Sequence, residues 1–259
     1  MKVKDFMTKD VISVDKDVNL KQVLKLMKKH DITKIPVVED KKLIGIVSDN
    51  IIAYKLGSIR KKGVPASRLH ASSVTDKDIE CISPDSDIKK ILKKVGKPGP
   101  TMLIVAEGEK ILGVLTKADL LPLVKSKKPI KEIMKKNLFT VSSDDRVIHA
   151  RRIMIDNDIA RLPVIDEGEL VGMISDNEIM FAIAKLKKSF SIGKQKHQLE
   201  ELLVRDVMKK SVIWTEPNMT ISNAAKVMQK TDIGALPILK DNKLIGMVSR
   251  TDLLNTIIF

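Results

Sequence analysis

Ile35-Pro36-Val37-Val38, followed by Leu43-Ile44-Gly45-Ile46-Val47-Ser48, is one of four versions of a single pattern in this chain. Leu162-Pro163-Val164-Ile165 with Leu170-Val171-Gly172-Met173-Ile174-Ser175, and Leu236-Pro237-Ile238-Leu239 with Leu244-Ile245-Gly246-Met247-Val248-Ser249, keep the same spacing from proline to glycine. Leu103-Ile104-Val105 with Ile111-Leu112-Gly113-Val114-Leu115-Thr116 repeats it with Ile104 in the proline's place. Two apolar runs around a polar turn such as Glu39-Asp40-Lys41-Lys42 or Asp166-Glu167-Gly168-Glu169 predict a β-hairpin. Four copies of one unit fill most of the 259 residues, so the function is one that the unit itself carries.

Outward from the hairpin, each copy reads alike. A short extended segment (Val11 to Val14, Leu138 to Val141) precedes an amphipathic helix. Leu20, Val23, Leu24 and Met27 keep the i, i+3, i+4, i+7 spacing, as do Ile88, Ile91, Leu92 and Val95, and Ile221, Ala224, Ala225 and Met228. Copy three keeps Val147, Ala150 and Met154 but has Arg151 where the others are apolar, which predicts a partly open helix face. Ser48, Thr116, Ser175 and Ser249 are N-caps for a second helix. The fold class is therefore α/β (α+β), with four β-α-β-β-α units of about 55–60 residues, each small enough to need a partner.

The intervals between the glycines are 68, 59 and 74 residues, and the two long ones contain the polar, basic insertions 57–65 and 187–194. Read as linkers inside pairs, these give two domains: 1–124, with units at about 1–56 and 71–124, and 125–259, with units at about 128–185 and 203–259.

Composition narrows the function. Hydrophobic residues make up 43% of the chain, enough for real cores. No apolar run approaches the roughly 18 residues of a membrane span, and the first residues carry no long apolar stretch, so a cytoplasmic protein is expected. The single Cys81 excludes an intrachain disulfide and is read as a small buried apolar side chain. A net charge of +14 brings anionic partners into view, nucleic acid among them, but 3% aromatic residues are few for stacking on single strands. His30, His70, His149 and His197 show no ligand spacing and are read as surface or linker residues, so no metal site is expected. Trp214 is read as packing in the core or in a cleft. Nothing combines a nucleophile with a base, so no catalytic residue is assigned and no enzyme is expected.

Three copies open alike, with Val3-Lys4-Asp5-Phe6-Met7, Ile130-Lys131-Glu132-Ile133-Met134 and Val204-Arg205-Asp206-Val207-Met208. Together with the proline strand and the Gly-hydrophobic-hydrophobic-Ser/Thr-x-x-Asp ending, this resembles the cystathionine-β-synthase (CBS) domain family. The arrangement, four motifs in two tandem pairs, is similar to the γ subunits of AMP-activated kinases and to stand-alone CBS proteins. The resemblance implies a regulatory module that binds AMP, ADP, ATP or S-adenosylmethionine between paired motifs, with no further cofactor. It also implies a homodimer and a protein partner of unstated identity. A nucleic-acid-binding protein on the same scaffold and a structural dimerisation unit with empty clefts are the alternatives.

In the family the Asp of the tetrad holds the ribose hydroxyls, which suits a carboxylate's lone pairs. Thr116-Lys117-Ala118-Asp119 and Ser249-Arg250-Thr251-Asp252 match in full; copies one and three have Ile51 and Glu178 in that place. The resemblance thus implies two sites, at Thr116/Asp119 and Ser249/Asp252. The same tetrads also read as capping boxes, the reading preferred for Ser175 and Glu178, whereas the shorter Asp is expected to reach its own helix start poorly. The adenine is expected near Val14, Ile32 and Thr33 for the ligand on Asp119, and near Val141, Ile159 and Ala160 for that on Asp252. Lys34 and Arg161 stand where the family often places a phosphate-binding basic residue, or else are exposed charges on a strand edge.

Overall fold

The computed structural model describes residues 1–57, 68–95, 102–189 and 192–257. Copy one comprises β1 (Val14–Asp15), α1 (Leu20–His30), β2 (Lys34–Glu39), β3 (Lys42–Ser48) and α2 (Asp49–Gly57). Copy two comprises β4 (Thr75–Asp76), β5 (Cys81–Ile82), α3 (Ile88–Val95), β6 (Met102–Glu107), β7 (Lys110–Thr116) and α4 (Lys117–Leu120). Copy three contains α5 (Val147–Asp156), β8 (Arg161–Asp166), β9 (Glu169–Ser175), α6 (Asp176–Ser189) and, after it, α7 (Ile192–Glu201). Copy four contains α8 (Ile221–Lys230), β10 (Ala235–Lys240), β11 (Lys243–Ser249) and α9 (Arg250–Leu254). The mixed α/β class and the four-motif organisation are those read from the sequence.

Local chemistry sets these elements. Asn19 caps α1 by accepting from the Gln22 N–H at 3.0 Å, and Asp31 ends it in the left-handed conformation with φ 50°. Leu20, Val23, Leu24 and Met27 are all buried, each worth roughly 1.5–3 kcal/mol. The periodic positions of α3 and α8 are buried in the same way. The first hairpin turns through positive φ at Asp40 and Lys41, which fits the twist of the flanking strands. All four hairpins shift register once, after Val37, Val105, Val164 and Ile238, so the copies share a bulge as well as a spacing.

The repeated glycine is explained by what lies on it. The opening segment of one copy crosses the second hairpin strand of another, through paired backbone bonds between Thr8 and Val114, Lys135 and Met247, and Lys209 and Met173, all at 2.9–3.0 Å. Met7, Met134 and Met208 press their sulfurs onto Gly113, Gly246 and Gly172, where an added Cβ would stand 2.8, 2.7 and 2.5 Å away. In copy one the visitor is β4, and a Cβ on Gly45 would collide with the Asp76 carbonyl and the Thr75 methyl. Reciprocal bridges fasten these crossings: Lys2 to Asp87 and Asn19 to His70, then Pro129 to Thr220 and Arg146 to Leu203.

The apolar cores join the copies along a different direction. One cluster unites copies one and three, from Val14 and Leu20 to Val147 and Leu162, with α2 packed along α6. The other unites copies two and four, from Ile88 and Leu103 to Ile221 and Leu236, with α4 against α9.

Several expectations are corrected. Of 11–14 only Val14 lies in a strand, and 138–141 contributes a single bridge from Val141 to Val164. The stretch 187–194, read as a linker, contains helix that the sequence reading did not foresee, since α6 runs to Ser189 and α7 begins at Ile192; the insertion after Gly57 lies outside the described residues. Cys81 is exposed, because Ile82 takes the inward position of β5. Trp214 is 48% exposed, since its neighbour Thr215 points inward. Arg151 is part-exposed where Leu24, Leu92 and Ala225 are buried, so this face of α5 is partly open as expected, and its guanidinium lies 5.9 Å over the ring of Tyr54 on α2. The four histidines are exposed.

Candidate functional site

Three second-helix starts place a carboxylate in one arrangement. Asp119 Oδ2 accepts from the Thr116 N–H and hydroxyl, both at 2.7 Å, and Oδ1 accepts from the Thr8 hydroxyl at 3.2 Å. Asp252 Oδ2 accepts from Ser249 N–H at 2.8 Å and its hydroxyl at 2.6 Å, while Oδ1 lies 3.7 Å from Lys135 Nζ. Glu178 Oε2 accepts from Ser175 N–H at 3.0 Å and from its hydroxyl, and Oε1 lies 3.3 Å from Lys209 Nζ. One oxygen closes the capping box and the other faces the opening segment of another copy. Both Asp side chains therefore reach their own helix starts, against expectation. The β-to-α corner brings the carboxylate back over the N-cap, so the extra methylene of Glu is not required.

Copy one is built differently. The Ser48 hydroxyl donates to Asn50 Oδ1, which also accepts from Ile51 N–H at 2.8 Å, so an amide two places on does the capping and Ile51 faces the cleft. A cavity of about 180 Å³ remains, lined by Lys34, Ser48 and Ile51 and, from copy two, by Asp76, Asp78, Glu80 and Met102. That is below the roughly 300 Å³ at which small-molecule sites usually begin.

The expected adenine walls are placed unevenly. Val14 and Val141 are 5% and 3% exposed and belong to the core of copies one and three. Ile32 and Ile159 are half-buried, and Thr33 and Ala160 are exposed. Thr33 and Ala160 use their carbonyls to accept from Asp49 and Asp176 N–H at 3.0 and 3.2 Å.

Lys34 and Arg161 do not lie on an exposed strand edge. They belong to a charged centre where all four copies meet. Arg161 crosses to the turn before β10, and a Cβ on Gly234 would stand 2.6 Å from its Nη2. Beside it, Arg250 donates to Asp232 Oδ1 at 2.6 Å and to the Ile233 carbonyl at 3.1 Å. Lys117, only 5% exposed, donates to Thr251 Oγ1 at 2.7 Å and so ties α4 to α9.

Burial governs the protonation of this centre. It lowers the pKa of Lys34, partly offset by Asp49, Asp76 and Asp176. Burial and then the like charge of Lys34 lower that of Lys117. For Arg161, burial and Arg250 act in the same direction, opposed by Asp49, Glu178 and Asp176. Burial raises Asp49, and burial together with Asp49 raises Asp176 to about 7. The sequence carried a signal for this centre. Copies one and three pair a basic strand start with an acidic helix start (Lys34/Asp49, Arg161/Asp176), while copies two and four pair Met102 with Lys117 and Ala235 with Arg250.

Thr8, Lys135 and Lys209 were missed in the sequence, although each directly follows an opening methionine. Among the described residues, no group of three or more His, Cys, Asp or Glu is placed to hold a metal ion, and no helix is long and apolar enough to cross a membrane.

Comparison with known proteins identifies the family and the fold. The sequence model of the CBS domain matches residues 3–57, 71–126, 130–185 and 204–258, and the chain belongs to the CBS domain family. It is 29% identical to the uncharacterized protein MJ1404 of Methanocaldococcus jannaschii over 98% of its own length, and spans 61% of that relative. It is 37% identical, over half of its length, to 90% of a CBS domain-containing protein of Dictyostelium discoideum. The crystal structure of MJ1225 from Methanocaldococcus jannaschii, described as a candidate archaeal homologue of γ-AMPK, superposes with a TM-score of 0.85. It covers 98% of this chain and 99% of its own at 20% identity, so the two share a fold.

Proposed function

We propose that this protein is a non-catalytic regulatory module that binds adenosine-containing ligands, AMP, ADP, ATP or S-adenosylmethionine, in the clefts between paired motifs. The observation that carries this reading is the shared disposition of Asp119, Asp252 and Glu178, each with one oxygen fixed in a capping box and the other turned toward another copy. A fixed carboxylate with an oxygen to spare suits a ribose diol, which donates two hydrogen bonds to an ionised acceptor. Thr116 and Ser249 hold the acids, and Lys34 and Arg161 supply positive charge toward the centre. Ile32, Thr33, Ile159 and Ala160 border the clefts, with Val14 and Val141 behind them in the core.

Residues 1–124 and 125–259 act as the two regulatory pairs. A ligand spanning a helix start and the opening segment laid across it binds best where that crossing is closed. It therefore shifts how the halves meet along α2 with α6 and α4 with α9. A protein partner reads the shift, and the module works as a homodimer in the cytoplasm without a further cofactor.

Thermal unfolding against AMP, ATP, S-adenosylmethionine and adenosine tests the reading. A ligand at 100 times its dissociation constant adds about 2.7 kcal/mol to stability. No response to any of the four overturns the proposal, and salt-sensitive binding to DNA or RNA in its place favours the nucleic-acid alternative.

A further inference from the structure

The residue that each opening segment lays beside the tetrad differs in charge from cleft to cleft. Backbone pairing places Thr8 opposite Val114, Lys135 opposite Met247, Lys209 opposite Met173 and Asp76 opposite Ile46, each one place beyond the repeated glycine. These four are equivalent positions. They face Asp119, Asp252, Glu178 and, in copy one, the cleft containing Ile51. The second half thus sets a lysine against each acid. The first half sets a hydroxyl against its one acid and a carboxylate where the acid is missing.

We infer that this position sets the charge class of the ligand: Lys135 and Lys209 make the clefts of the second half selective for phosphorylated adenosine ligands, while Thr8 leaves the Asp119 cleft without that selection. The inference rests on the adenosyl reading above. The two lysines are anchored by backbone bonds at 2.9–3.0 Å, yet their side chains are 66% and 67% exposed over acids only 13% and 11% exposed. Ion pairs at 3.3–3.7 Å with so exposed a partner contribute little. A diol arriving at the carboxylate displaces the ammonium at small cost. The ammonium, on a flexible four-carbon stem, then swings to a phosphate carried on the same ribose. A ligand without phosphate leaves it unpaired, and a cationic one is repelled.

Calorimetric titration of AMP and adenosine into wild type, Lys135→Met, Lys209→Met and Thr8→Lys tests this, with the two lysine variants repeated in an Asp119→Ala background to separate the halves. Loss of either lysine should weaken AMP about tenfold at its own cleft and change adenosine less than about twofold, as expected for loss of a charge-assisted contact. Thr8→Lys should strengthen AMP by a similar factor at the Asp119 cleft. Unchanged AMP-to-adenosine ratios in all three variants overturn the inference, as does equal weakening of both ligands, which would make the lysines structural. Wild type that binds neither ligand overturns the adenosyl reading itself, a different result from binding with an unaltered ratio.

Discussion

Copies one and four leave their second hairpin strands through the same hydroxyl, Ser48 or Ser249, and then diverge. In copy four Asp252 closes the box with one oxygen and keeps the other for the cleft. In copy one Asn50 does the capping, Ile51 fills the acid's place, and Asp49 turns into the buried centre. Both solutions start a helix, so the fold does not require the carboxylate. Under the proposed function, what separates a scaffold copy from a binding copy is one side chain that serves the cap and the ligand together.

The largest expected effect tests the shared part of that comparison, the crossing over the glycine. Gly45→Ala places a methyl on backbone atoms of β4 and should cost about 2–3 kcal/mol, because the strand itself has to move. Gly172→Ala meets first the flexible sulfur of Met208, with the Lys209 carbonyl 3.1 Å away, and should cost about 1 kcal/mol. Urea unfolding of the two variants measures the difference, and equal losses would mean that the crossings are not distinguished by what lies on them.

Next in size is the charged centre. Asp176 is held near pKa 7 from an ordinary 3.8, first by burial and then by Asp49, against the pull of Arg151 and Arg161 and with Glu178 adding to the rise. Between these values the folded state holds a proton that the unfolded chain has released. Stability therefore falls as pH rises from about 4 to about 7 and levels off above that. Asp176→Asn should add about 1–2 kcal/mol at pH 8 and almost nothing at pH 4. Melting temperatures at the two pH values check it, and a gain that is the same at both would remove the titration from the account.

Arg161→Ala sharpens the comparison by ligand. AMP should weaken about tenfold at the Asp252 cleft and adenosine much less, since a bidentate cation suits phosphate and has no use for a neutral ligand. Equal weakening of both would make Arg161 a structural cation over Gly234. The smallest effect is expected from Glu178→Gln, which keeps a capping side chain. Affinity at the Asp252 cleft should change less than about threefold, within the scatter of a surface substitution.

The repeat, its helices and its hairpins were legible in the sequence because each rests on local spacing: apolar residues every three to four positions, a polar turn, a hydroxyl cap. Cys81 and Trp214 were misjudged, and the ring that meets Arg151 was not foreseen, because these environments depend on neighbours that local spacing does not reveal. Tyr54 comes to Arg151 from α2, and the pleat gives Ile82 and Thr215 the inward positions that Cys81 and Trp214 lack. Asp119 and Asp252 stood out because only their copies complete the repeated tetrad. Thr8, Lys135 and Lys209 did not, since their meaning comes from the strand they cross, more than 35 residues away in every case. Glu178 looked like a cap and nothing more until its second oxygen was seen toward Lys209.

The central claim is that the carboxylates of the tetrads hold the ligand, and stoichiometry tests it most directly. Calorimetric titration of Asp119→Ala/Asp252→Ala with the best-bound adenosyl compound should show the loss of the two sites that those acids anchor. Whatever remains should be weak or confined to the Glu178 cleft, and the protein should stay folded, because loss of a charged hydrogen-bond partner typically costs on the order of 1.5–3 kcal/mol. A double variant that binds the same number of ligands as wild type, with unaltered affinity, would contradict the account.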